Sequence, residues 1–310
     1  VTNRVALGVG ALALLLVPSL LSSYQLDLLT KMLIFAIFAM SLNLTLGYAG
    51  LPSLGHAAYF GVGAYTVGLL SLRVSPSFWL AFGIGLAAAA LTAAVFGLLA
   101  LRARGSYLLM ITLALAQVLW GIAFGWRGLT GGDDGLPGVP RPAAGLPWSF
   151  ADGGRFYYLV LAAFGLTLAA LALIVRSPFG RALVGIRESE RRMEVLGYHT
   201  WLHKYVAFVL AGLFAGVAGG LFVYYNGFVS PAYLSIVLSA TALIMVILGG
   251  AGTLLGPVVG SAAIVFLENV VSAHTERWLL VLGVIYVLVT LFAPSGLMGL
   301  VRGRLDARST

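Results

Sequence analysis

Apolar runs separated by short polar islands follow one another along almost the whole chain. Ten can be read, over residues 5–22, 28–46, 53–72, 78–101, 107–125, 156–175, 205–226, 233–249, 255–272 and 278–293. Each is close to the ~20 residues a helix needs to cross the hydrocarbon core. The runs are continuous, without the alternation of barrel strands, and an open sheet would leave its edge groups unsatisfied in lipid. The pattern predicts an all-α, polytopic membrane protein of about ten transmembrane helices, within a range of eight to ten. The runs at 53–72 and 233–249 are interrupted by Gly, Ser or Thr and are candidates for broken or re-entrant helices. The first run, behind Arg4 and ahead of Ser22-Ser23, reads as a retained helix and also fits the order of a secretory leader.

Composition removes the soluble alternatives. Hydrophobic residues make up 61% and charged residues 9% of 310, and the mean hydropathy is +1.03, far from a soluble domain. Forty glycines predict closely packed membrane helices, and zero cysteines exclude a disulfide framework or a thiolate site. The net charge of +8 sits in short loops rather than in a basic domain, which argues against nucleic acid as a partner. With the amino terminus inside, the loops at 102–106 and 176–204 and the tail from 294 are cytoplasmic. They carry Arg102, Arg104, Arg176, Arg181, Arg187, Arg191, Arg192, Lys204, Arg302, Arg304 and Arg308. The outside keeps Lys31, Arg73, Arg127, Arg141, Arg155 and Arg277, so the positive-inside rule is met with both termini cytoplasmic.

Enzyme chemistry finds no footing in the motifs. There is no H-E-x-x-H, no nucleophile elbow and no Walker A loop, and neither lysine follows a Gly-rich turn. The Gly- and Pro-rich outer loop at 126–155 is expected to be a structured cap or connector; its Asp133-Asp134 pair lacks calcium-loop spacing. Polar groups inside spans are expensive, which makes Asn43, His56, Tyr59, Gln117 and Glu268 candidates for a translocation pathway. Interhelical hydrogen bonding is the favoured reading of Asn43, Thr45 and Gln117, and a satisfied structural histidine that of His56. Two Gly-rich breaks, GYAGLPSLG at 47–55 and GGAGTLLGP at 249–257, read as helix-to-helix turns or as traces of an internal repeat.

The most informative segment is the cytoplasmic loop at 176–204. Pro178 suits an early helical position, and Ala182, Leu183, Val184 and Ile186 form an apolar face beside Arg181, Arg187, Glu188 and Glu190. A second helical stretch from Glu190 to Leu196 meets its stop at Gly197. Such a helix-turn element fits a docking surface for a soluble partner; lying on anionic lipid is the other reading.

The SPFGRAL and IRESE elements of this loop resemble the ATPase-coupling loop of branched-chain amino acid ABC permeases. GYAGLPSLGHAAYFGVGAYT, RGSYLLMITLALAQ, TGGDDGL and the stretch from Phe228 to Ala262 are similar to other parts of that family, so the resemblance covers nearly the whole chain. RGSY and TGGDDGL point to the LivM-type rather than the LivH-type subunit. Leu51-Pro52 and Asp133-Asp134 depart from the family's commoner residues.

The resemblance implies one permease domain over 1–310 and an importer of branched-chain or related amino acids, amides, urea or aromatic acids. Its implied partners are a LivH-type permease, two ATP-binding cassette subunits of LivG/LivF type and a periplasmic or lipid-anchored substrate-binding protein, in the bacterial inner membrane. ATP and Mg would be used by the cassette subunits, with no cofactor bound and no catalysis performed by this chain. Carried over by motif, Ser177, Pro178, Phe179, Gly180, Arg181, Ala182, Arg187 and Glu188 belong to the coupling region, with Phe179 as its apolar plug. A stand-alone secondary transporter or channel for small solutes is the alternative that the apolar spans alone would allow.

Overall fold

Ser22 opens the first long helix of the computed structural model: its hydroxyl accepts from the Gln25 N–H at 3.5 Å, and its own N–H donates to the Gln25 amide at 3.1 Å. This reciprocal box satisfies two of the donors a helix start leaves free. The structure describes residues 18, 21–74, 77–141, 150, 153–275 and isolated positions from 277 to 298. The first and tenth apolar runs are therefore covered only at scattered positions, and both chain ends lie outside the described residues.

The helices longer than one turn are α1 (Ser23–Asn43, continued by a π turn over Leu44–Tyr48), α2 (His56–Arg73), α3 (Phe78–Ala100) and α4 (Ser106–Gly125). After the outer loop come α5 (Gly153–Arg176), α6 (Pro178–Glu188), α7 (Glu190–Val195), α8 (Thr200–Asn226), α9 (Ile236–Gly249) and α10 (Gly256–Ser272). The fold is all-α. The strands among the described residues are the two-residue β1 (Leu136–Pro137) and β2 (Phe228–Val229), paired antiparallel.

α1, α2 and α8 form the centre. α8 packs against α2, α3 and α1, and 78% of the most apolar stretch of both α1 and α8 is buried. For α3, α4 and α5 that share is 22–28%, and Leu91, Met110, Leu166 and Leu173 stand exposed on them. Such apolar surface is stable against lipid tails. The expected close approach of glycines is present where α8 crosses its neighbours: a Cβ at Gly219 would overlap the Phe60 carbonyl of α2, and one at Gly212 would overlap the Ala93 methyl of α3.

Contacts between loops sort the connections to two ends. At one end, Arg73 donates to the carbonyls of Gly128 and Leu129 at 3.0 and 3.2 Å, and β1 pairs with β2. Tyr24 Oη meets Asn269 Oδ1 at 2.5 Å there. At the other end the breaks at 47–55 and 249–257 meet each other and the loop at 176–204, as described below. The grouping agrees with the alternation read from the charges. α1 and α10 run antiparallel along their length, joined at Tyr24–Asn269, Lys31–Glu268 and Asn43–Thr253.

Boundaries differ from the sequence reading in instructive ways. α8 begins at Thr200 rather than at 205, because Lys204 is neutralised locally and the helix can start beyond the apolar run. The first Gly-rich break, at 47–55, keeps 53–55 out of α2. α9 has 14 residues, about 21 Å at 1.5 Å per residue, against a core of about 30 Å. Its approach explains the shortfall. Val229 lies beside Gly68 of α2 and Leu234 beside Gly61, seven residues or about 10 Å deeper. The chain thus dips inward before α9 starts, as expected of a re-entrant segment. Five described helices are long and apolar enough to span a membrane; α9 and α10 are shorter.

Candidate coupling site

The corner between α5 and α6 is set by three residues. Ser177 caps α6: its hydroxyl accepts from Gly180 N–H at 3.3 Å and donates to the Ile174 carbonyl at 2.6 Å. Pro178 occupies the first helical turn, where its missing N–H has no cost. Gly180 is buried under the end of α5, and a Cβ there would overlap the Val175 carbonyl and lie 2.5 Å from that of Ile174. Ala182, Leu183 and Ile186 face inward, while Arg181 and Glu188 face outward. Phe179 is half-buried and stacks on His203 of α8, with ring centroids 5.6 Å apart and an interplanar angle of 14°.

Arg187 reaches from α6 to both Gly-rich breaks. Its Nη1 donates to the Gly47 carbonyl. A Cβ at Gly50 would come within 2.7 Å of Arg187 Cγ, and one at Gly252 within 2.9 Å of Nη1. Both glycines have positive φ, +69° and +79°, so space and backbone alike require Gly. Asn43, buried at the end of α1, closes the joint: its Nδ2 donates to the Thr253 carbonyl at 2.8 Å and its Oδ1 accepts from Gly252 N–H at 2.9 Å. α6, the α1–α2 break and the α9–α10 break form one hydrogen-bonded unit.

Beyond α6 the chain turns at Ser189, whose hydroxyl accepts from Arg192 N–H at 3.3 Å to cap α7. α7 stops at Gly197, φ +85°. A clamp holds this hairpin to the start of α8: buried Lys204 donates to Glu190 Oε1 at 2.5 Å, Thr200 donates to Glu190 at 3.4 Å and to Glu194 at 3.2 Å, and Arg104 lies 4.0 Å from Glu190. Burial alone pushes the Glu190 carboxyl up, but the Lys204 hydrogen bond and charge, with Arg104 and Thr200, hold it below the ordinary carboxylate range. The tip of the hairpin exposes Val195 (83%) and Leu196 (65%) among the charged Arg191, Arg192 and Glu194. Tyr198, Trp201 and Leu202 continue it around an open groove of about 480 Å³.

The predicted pathway residues do not converge. Asn43 belongs to the joint just described. His56 opens α2 in the core, stacked on Phe38 and 2.8 Å from Ser41 Oγ. The Ser41 hydroxyl also donates to the Phe38 carbonyl at 2.7 Å, so His56 Nε2 is the donor to Ser41. Tyr59 packs edge-on to His56, and its buried hydroxyl has no partner among the described residues. Gln117 is exposed on α4 beside Val118. Glu268 pairs with Lys31 at 3.4 Å near the opposite end of the molecule.

Residues 24–290 match the family described as the branched-chain amino acid transport system permease component. The chain belongs to that family. It is 30% identical over 314 residues, covering 94% of this chain and 74% of the relative, to the high-affinity branched-chain amino acid transport system permease protein LivM of Salmonella typhimurium. The LivM of Escherichia coli matches equally. The corresponding LivH of Escherichia coli is 30% identical over 137 residues, 43% of this chain and 44% of its own. The near full-length match makes this a LivM-type permease, as the RGSY and TGGDDGL elements indicate. No solved structure matches.

Glu190 and Lys204 form a clamp in the permease's hairpin, a pairing that sequence reasoning did not make. They stand 14 positions apart on different helices, a spacing without helical meaning. Lys204 inside the first turns of an apolar helix was the available signal, since a lysine buried there requires an anion.

Proposed function

We propose that the permease is one half of an ATP-driven importer of branched-chain or related amino acids, spanning the bacterial inner membrane about ten times with both termini inside. A LivH-type subunit completes the pathway. Two ATP-binding cassette subunits hydrolyse MgATP in the cytoplasm, and a substrate-binding protein delivers cargo from outside. Closure of the cassettes displaces the 176–204 hairpin. The observation that carries this reading is the Arg187 joint, because a push on α6 is felt at once by the break after α1 and the break after α9. The exposed Val195–Leu196 tip and the charges around it supply the docking surface, and the Lys204–Glu190 clamp makes it rigid.

Copurification from cells decides it. The wild type is expected to retain its cassette ATPase, and Phe179→Asp or Arg181→Glu to lose it while remaining folded. ATP-independent uptake by this chain alone in liposomes would refute the importer and establish the stand-alone carrier.

A further inference from the structure

At the end opposite the hairpin, α1, α4, α9, α10 and the outer loop line an open cleft of about 520 Å³, within the range of small-molecule sites. Its apolar wall is Phe35, Trp120, Phe124 and Leu238; its acidic groups are Asp133 and Glu268. The depth follows from the elements: Asp133 belongs to the outer loop, and Phe35 lies near the middle of α1. The re-entrant stretch before α9 forms one side and delivers the first turn of α9 to the cleft through Ser235 and Val237. Lys31 pairs with Glu268 at 3.4 Å and stands 5.9 Å over the Phe35 ring, so it offsets one carboxylate. Asp133 makes no ion pair among the described residues. The cleft therefore combines an apolar, aromatic floor with one uncompensated negative charge.

We propose that this cleft is the permease's own cargo subsite and that it takes a zwitterionic α-amino acid with an apolar side chain. Resting on the importer reading for its choice of cargo, the assignment adds where that cargo sits. The ammonium lies between Asp133 and Glu268, with Asp133 supplying the net charge. The side chain packs on Phe35, Trp120, Phe124 and Leu238. The carboxylate lies toward the start of α9, where Ser235 already accepts from Leu238 N–H at 3.3 Å, while the N–H groups of Ile236 and Val237 have no acceptor within the helix. A deaminated or N-acylated analogue has no place here, since it leaves Asp133 without a cation.

The test uses the assembled importer with its partner permease, cassettes and binding protein, in proteoliposomes and in detergent. Leu238→Trp, which fills the cleft, is expected to lower leucine uptake roughly tenfold with the cassettes still bound and hydrolysing ATP. Asp133→Asn should lower it to a similar degree, roughly tenfold, and Asp133→Glu restore most of it. In detergent, leucine up to about 10 mM should change the emission of Trp120, identified by its loss in Trp120→Phe, and Asp133→Asn should abolish the change. Unaltered uptake in both variants, or no leucine-dependent Trp120 signal, overturns the subsite. Leu238→Trp releasing the partner permease also overturns it, assigning the cleft to a partner helix. Failure of the wild type to import, with the Trp120 signal intact, refutes the importer and leaves the subsite standing.

Discussion

Replacing Lys204 with methionine keeps the length of the side chain and removes its charge, leaving Glu190 without its nearest cation. Lys204 is 8% and Glu190 27% exposed at the side chain. Deleting one partner of a fully buried pair costs about 3–5 kcal/mol, whereas an exposed pair contributes about 0.2–1. The intermediate exposure here gives ~2 kcal/mol, roughly a 30-fold change in a local opening equilibrium. Arg104 at 4.0 Å is too solvated to compensate. Amide hydrogen exchange over residues 190–200 reads that opening directly. Lys204→Met and Glu190→Gln should each open the hairpin by roughly that factor, and the double variant no more than either alone. The depressed Glu190 carboxyl adds a pH test. Its stabilisation is present above the unfolded value of about 4.3 and is lost as pH falls through the lower folded value. Protection, corrected for intrinsic exchange, should therefore hold from neutral pH down to that range, then collapse in the wild type but not in Glu190→Gln. Additive single variants, or protection insensitive to both, would refute the clamp.

The joint and the corner yield further expectations. Asn43→Ala strips partners from Gly252 N–H and the Thr253 carbonyl, costing about 1–3 kcal/mol for each group that stays dry; thermal unfolding of the purified protein should show it, with Asn43→Asp intermediate because it keeps the acceptor. Gly180→Ala forces a methyl onto the carbonyls of α5, at about 1–3 kcal/mol, and should expose the 177–199 hairpin to protease. Gly165→Ala, with nothing within 4 Å of the added Cβ, is its neutral control.

Much of the site was legible before any coordinates. Pro178, the apolar face of Ala182, Leu183 and Ile186, and the stop at Gly197 gave the hairpin correctly, because capping and amphipathic spacing are local effects. Arg187 could be placed in the coupling region only by resemblance. Its acceptor, Gly47, lies 140 residues away, and nothing local records such a contact. Asp133 carried no recognisable ligand spacing, and it gains meaning only from lining one cleft with Trp120 and Glu268.

The sequence by itself determined that the chain is helical, membrane-embedded and a permease of this family, since apolar run length and motif order are properties of the chain. Which helices form the centre was decided only by tertiary structure. α3 and α8 have nearly equal mean hydropathies of 2.1 and 2.3, yet 28% of one and 78% of the other is buried. Water would have separated them by favouring a polar outer face on α3. Lipid and protein interior both accept an apolar side chain, so the distinction rests on small residues such as Gly212 and Gly219, which let α8 approach its neighbours where bulkier side chains could not.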